Sequence, residues 1–178
     1  MKYLPFLTLA ALAVVAFACT PAKRPAADQA ESQPAKMLVL YYSQTGVTDK
    51  VAQELARQTG ADVERIEAVA PYAGTYEETI ARCKEEMAQG IVPEIKPLQS
   101  NIEDYGVIFL GYPVWFGTYA RPVMQLVAQY DFAGKTVVPF ATFGSGGLQA
   151  SADSLRLALP QAEVKAGFGI REVHSDRA

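Results

Sequence analysis

Three short stretches carry residues suited to holding a ligand. Ser43-Gln44-Thr45-Gly46-Val47-Thr48 is dense in hydroxyls and contains one glycine, which permits a tight turn. It stands between an apolar run and an amphipathic stretch, so the amides and positive dipole end of a helix start point into it. Neutral hydroxyls and free amides at a helix start make a phosphate cradle. Ser and Thr that simply cap the helix make the same pattern, and spacing alone leaves both readings open. The loop lacks the lysine of a triphosphate-binding loop and the three glycines of a dinucleotide fingerprint, so a single monophosphate is the better fit.

The second stretch, Gly111-Tyr112-Pro113-Val114-Trp115-Phe116-Gly117-Thr118, sets aromatic rings directly after an apolar run. Either the Trp folds over the strand ends, or it forms a wall beside a flat ligand. The third, Thr142-Phe143-Gly144-Ser145-Gly146-Gly147, has the glycines that allow close backbone approach, and a plain surface loop would share them. No catalytic residue emerges. The chain has one histidine, His174, read as solvated, and two cysteines, Cys19 and Cys83, so no metal site is expected.

Positioning these loops requires alternating strands and helices. Met37 to Tyr42 is continuously apolar, as in a parallel strand covered on both faces. Thr48 to Thr59 follows with Val51, Ala52, Leu55 and Ala56 on one helical stripe and Gly60 at its end. Val63 to Val69 reads as a second strand, Thr75 to Gln89 as a second helix, and Val107 to Gly111 as a third strand. A third helix ends at Tyr130. Val137 to Ala141 is a fourth strand weakened by Pro139, Leu148 to Leu159 a fourth helix, and Val164 to Ile170 a fifth strand. This alternation predicts a doubly wound α/β fold whose ligand lies at the carboxyl ends of the strands. After Ile170 the sequence is polar, and a final helix is missing from the pattern.

Val39-Leu40-Tyr41-Tyr42-Ser43-Gln44-Thr45-Gly46-Val47-Thr48, with Ala52 and Leu55, resembles the flavodoxin signature. The Tyr-Pro-Val-Trp-Phe-Gly run with Arg121-Pro122 is similar to a subfamily of bacterial flavodoxin-like lipoproteins, as are Pro71-Tyr72, Lys84-Glu85-Glu86 and Pro93-Glu94-Ile95. The resemblance spans about Lys36 to Ile170. It implies a five-stranded parallel sheet in the order 2-1-3-4-5 and FMN as cofactor. Ser43, Thr45, Gly46, Val47 and Thr48 would wrap the FMN phosphate, with Gln44 supplying backbone. Trp115 would flank the isoalloxazine ring, reached through Pro113 and Val114, with the Phe116, Gly117 and Thr118 backbone near its redox edge. Thr142, Phe143 and the backbone from Gly144 to Gly147 would meet the pyrimidine edge.

The start of the chain reads as an address. Lys2 precedes the apolar run Leu4 to Phe17, about 14 positions where a membrane-spanning helix needs roughly 20. Residues 1–18 are therefore expected to be a secretory signal peptide. Cys19 after Ala18 resembles a bacterial lipobox, with Cys19 lipidated; Ala16-Phe17-Ala18 also fits ordinary cleavage and release to the periplasm. Residues 19–36, rich in Ala and Pro, read as a flexible linker, and 37–178 as the domain. The expected location is a cell or outer membrane, reached through the lipid anchor only. A net charge of -3 with interspersed signs argues against nucleic acid and gives weak steering of a partner. The resulting expectation is an electron-transfer flavoprotein whose partner is a redox protein or NAD(P)H. An FMN-dependent NAD(P)H:quinone or small-molecule reductase and a flavin-free interaction module are the alternatives, and a homodimer across the bare sheet is a further expectation.

Overall fold

The computed structural model describes residues 35–171. The signal peptide, Cys19, most of the linker and the tail from Glu172 lie outside the described residues. In the parallel sheet β3 (Val107–Trp115) is central, with β1 (Met37–Tyr41) beside it and β2 (Asp62–Arg65) at the edge beyond β1. Next to β3 lies β5 (Thr136–Phe143), and then two short edge pieces, β6 (Glu163–Val164) and β7 (Phe168–Arg171). A two-residue strand, β4 (Thr118–Tyr119), folds back antiparallel on the end of β3. Counted without β4, the order is the expected 2-1-3-4-5.

Alternation along the strands divides the core. Leu38, Leu40, Ile108 and Leu110 point to one face, where they meet α2 (Tyr76–Gln89), α3 (Arg121–Gln129) and α4 (Leu148–Ala158) through Cys83, Val123, Leu126 and Leu155. Val39, Tyr41 and Phe140 point to the other, against Ala52 and Leu55 of α1 (Val47–Thr59). Of the four helices, α2 is closed at its start by a capping box, in which Thr75 and Glu78 satisfy each other's amides. The other three have no side-chain cap.

Three strands differ from the sequence reading: β3 runs on past Gly111 to Trp115, and neighbouring backbone explains the other two. The second strand stops at Arg65 rather than Val69. Its last amide bond to β1 runs from Ile66 to the Tyr41 carbonyl, after which Tyr42 turns its own amide to Gly111 of β3. Residues 67–69 then pair with Glu94–Lys96 instead, around an antiparallel bridge between Ala68 and Ile95. The fifth strand breaks in two where a continuous Val164 to Ile170 was expected. Pro139 does not interrupt β5; it interrupts its neighbour. Thr136 directs its amide to β3 and Val137 its carbonyl to the edge, so Pro139, two residues on from Val137, faces the edge with no N–H to give. Opposite Val138 and Pro139 the edge bulges through Lys165, Ala166 and Gly167. Pro113 obeys the same parity: Gly111 accepts from Tyr42 on the β1 side, and Pro113 faces that side beyond the end of β1.

Gly167 makes this edge possible. Its φ is 70°, and a Cβ built there would lie 2.0 Å from the Pro139 carbonyl oxygen. Gly167→Ala is expected to destabilise the fold by roughly 2–5 kcal/mol, the sum of a left-handed L-residue and an overpacked contact, read as a lowered midpoint in urea unfolding.

Candidate functional site

The three loops singled out in the sequence meet at one end of the sheet. In the first, Ser43 is buried and its Oγ accepts from the Gly46 amide at 3.1 Å, which closes the turn from beneath. Gly46 takes φ 86° as the N-cap of α1, and the first helical bond is Lys50 amide to Gly46 carbonyl. The amides of Val47, Thr48 and Asp49 therefore lack helical acceptors, and no side chain caps them. Thr45 is exposed at the tip, its hydroxyl without a protein partner among the described residues. Thr48 is buried, and its Oγ1 lies 2.8 Å from Oγ1 of Thr142, which joins the first loop to the third. The Asp49 carboxylate accepts from the Tyr41 phenol. Burial first, then that bond, pushes the phenol up to about 12, so Tyr41 remains a donor and engages a charge that would repel a phosphate.

Two residues outside the loop brace it, and sequence spacing gave no sign of either contact. The Arg65 guanidinium donates to the Ser43 carbonyl at 2.5 Å, and the Gln44 amide donates to Thr79 Oγ1 at 2.6 Å on α2. Behind the loop, Tyr42, Gln44, Arg65, Tyr72 and Lys96 line a cleft of about 340 Å3. Both its cations are engaged, Lys96 with Glu67 at 2.6 Å.

The second loop is a hairpin. Val114 pairs with Tyr119 and Trp115 with Thr118, leaving Phe116 and Gly117 as a two-residue turn at φ 50° and 80°. Positive φ at both positions is the type I′ arrangement. Gly117 adopts it freely; Phe116, exposed and bulky, holds it against its preference. Trp115 is half-buried and rests edge-on against Tyr42 and Tyr72, with ring centroids 5.7 and 5.0 Å away. Pro113 and Val114 lie within β3, as its lengthening past Gly111 dictates.

In the third loop, Thr142 is buried beneath the first loop, while Gly144, Ser145 and Gly146 are exposed. The Phe143 ring turns toward the edge, where a Cβ on Gly169 would lie 2.6 Å from it, and Arg171 donates to the Gly144 carbonyl. Gly46, Gly117, Gly144, Gly146 and Gly147 all face open space, with nothing within 4 Å of an added Cβ. The arrangement thus offers neutral donors and open backbone around a helix start, beside an aromatic wall. Among the described residues no cluster of His, Cys, Asp and Glu is placed to hold a metal.

A family model described as Flavodoxin matches residues 36–176. The chain belongs to the flavodoxin family. A candidate flavoprotein from Bacteroides eggerthii is 33% identical, with 80% of this chain and 91% of that one covered and a TM-score of 0.69. One from Bacteroides uniformis is 26% identical over 80% and 94% of the two chains, at a TM-score of 0.71. A Lactobacillus acidophilus flavoprotein solved in complex with FMN shares the fold at 23% identity, 76% and 93% coverage and a TM-score of 0.64. No curated protein matches this chain.

The Thr48–Thr142 bond gives this flavodoxin-family site a measurable internal link. Thr48→Val or Thr142→Val alone leaves one buried hydroxyl unpaired, at a cost of roughly 1–3 kcal/mol. The double replacement is expected to recover most of that loss, giving a clear coupling energy in a double-mutant cycle of urea unfolding.

Proposed function

We propose that this flavodoxin-family chain binds FMN at the junction of the three loops and serves as an electron-transfer protein. The observation that carries the reading is the uncapped start of α1. Three amides, the Thr45 hydroxyl and a positive dipole end converge on a turn free of acidic contacts except for Asp49, which Tyr41 engages. Those groups suit a dianionic monophosphate better than a side-chain cap, whereas the start of α2 is closed by its own capping box. When bound, FMN would supply reversible acceptance of one or two electrons at its isoalloxazine ring.

The protein's part is to hold and orient. Val47, Thr48 and Asp49 amides with Thr45 would fix the phosphate, while Ser43, Arg65 and the Thr48–Thr142 bond keep the loop in shape. Trp115 would cover one ring face and exclude water from it. The Phe116–Gly117 peptide, already in left-handed geometry, would set the hydrogen bonding available at the ring's redox edge.

FMN added to the purified chain is expected to give a bound-flavin visible spectrum and a higher melting temperature. Thr45→Ala should leave the melting temperature of the flavin-free protein unchanged and weaken FMN by roughly 1.5–3 kcal/mol, the range for a hydrogen bond to a charged group. A colourless, unstabilised sample at saturating FMN would refute the assignment. The same sample separates the rival activity: turnover of NAD(P)H with a quinone would make the protein a reductase.

We further propose that the chain acts at a membrane surface after export, anchored through Cys19. The support is the apolar run from Leu4 to Phe17 and the cysteine that follows Ala18. Mass spectrometry of protein from the membrane fraction is expected to find a lipidated Cys19 at the N-terminus. Cys19→Ser should move the protein to the soluble fraction; a membrane-bound Cys19→Ser variant would defeat the proposal.

A further inference from the structure

Glu86 stands in the last turn of α2 and Arg121 at the start of α3, each at the end of its own helix that disfavours its charge. Both are buried, at 7% exposure each. They satisfy each other across the gap. Arg121 Nε donates to Glu86 at 2.9 Å, and its Nη2 donates to the Ile91 carbonyl just past α2. The Glu86 carboxylate also accepts from Arg82 Nε at 2.8 Å and from the Tyr72 hydroxyl at 2.5 Å. Burying such charges is weak evidence for stability, because apolar residues of similar size often serve as well. Breaking a local rule twice at one place is the sign of a constraint imposed from elsewhere.

That constraint lies at Trp115. Tyr72 is fixed on three sides: its hydroxyl by Glu86, one ring face by the Arg82 guanidinium 3.9 Å from the centroid, and its contact with Trp115 at 5.0 Å. Arg121 follows the hairpin that carries Trp115, so the same carboxylate grips Trp115 by two routes. One runs through space by way of Tyr72, the other along the chain by way of the start of α3. Burial, and then the bond to Glu86, pushes the Tyr72 phenol well above its ordinary range. It therefore stays protonated and donating wherever the protein is folded.

We infer that Glu86 and Tyr72 are positioning residues for the flavin-facing side chain Trp115, with Arg82 and Arg121 holding Glu86 in place. This rests on the reading that FMN binds at the three loops. The ring of Trp115 is pre-set before any ligand arrives, so a ligand with a flat face meets a formed wall rather than a mobile one.

Trp115 is the chain's single tryptophan, which makes intrinsic fluorescence a reporter of this one ring. Glu86→Gln and Tyr72→Phe are made in the full chain, with Leu155→Val in α4 as a control for general loss of stability. In the ligand-free proteins, the first two are expected to shift the Trp115 emission maximum and increase acrylamide quenching at least twofold. Leu155→Val should do neither. The double variant should resemble Glu86→Gln alone, because that change weakens both routes and Tyr72→Phe cuts one of the same two. With FMN, both should weaken binding at least tenfold and alter the visible circular dichroism of the bound flavin.

Unchanged Trp115 emission and quenching in folded Tyr72→Phe would overturn the inference, even if Glu86→Gln failed to fold. Altered Trp115 fluorescence with full FMN affinity and unaltered dichroism would also overturn it, since the ring's position would not matter to the ligand. If the unaltered protein bound no FMN, the cofactor reading would fall by itself, and the tether on Trp115 would be judged on fluorescence alone.

Discussion

An α-helix leaves its first amides without acceptors, and a protein must either cap them or give them to something else. In α1 the nearby side chains other than Thr45 are committed elsewhere. Ser43 accepts from Gly46, Thr48 is bonded to Thr142, and Asp49 to Tyr41. What remains is a turn whose shape is settled from beneath while its upper surface stays polar and open. The sheet serves that turn: β1 delivers it beside the central strand, β3 and β5 bring the other two loops alongside, and the Thr48–Thr142 bond ties first to third.

The aromatic side is held by a different kind of force. Hydroxyl and backbone contacts dominate the first loop, but Trp115 leans on two tyrosines, one of which ends in a buried carboxylate between two guanidiniums. A ring stacked only by dispersion can slide, since each atom contact is small and non-directional. Directional bonds at the far end of Tyr72 remove that freedom.

Features set by neighbours in the chain were legible in the sequence. The apolar run of β1, the stripe of α1 and the stop at Gly60 follow from local periodicity and capping, and the structure has them within a residue or so. The hydroxyl loop and the Trp loop were legible too, because their residue types are unusual beside a strand end. Contacts reaching across the chain were not. Nothing near Glu86 announces Arg121, 35 positions on, and nothing near Ser43 announces Arg65. Strand limits failed for the same reason: where β2 ends depends on Tyr42 turning to β3, and where the edge breaks depends on Pro139 in another strand. The proline itself was noticed, but the parity that moves its effect to the adjacent strand only exists once the strands are paired.

The broken edge has a consequence for how such a molecule lives among its neighbours. An open sheet flank is a template on which another chain can add a strand, the first step toward fibrils or clumping. Here that flank presents four residues and two, separated by a kink that Gly167 holds out of line. A foreign strand could pair with either piece only briefly before losing register. Crowded copies would thus meet flanks too short to zip together.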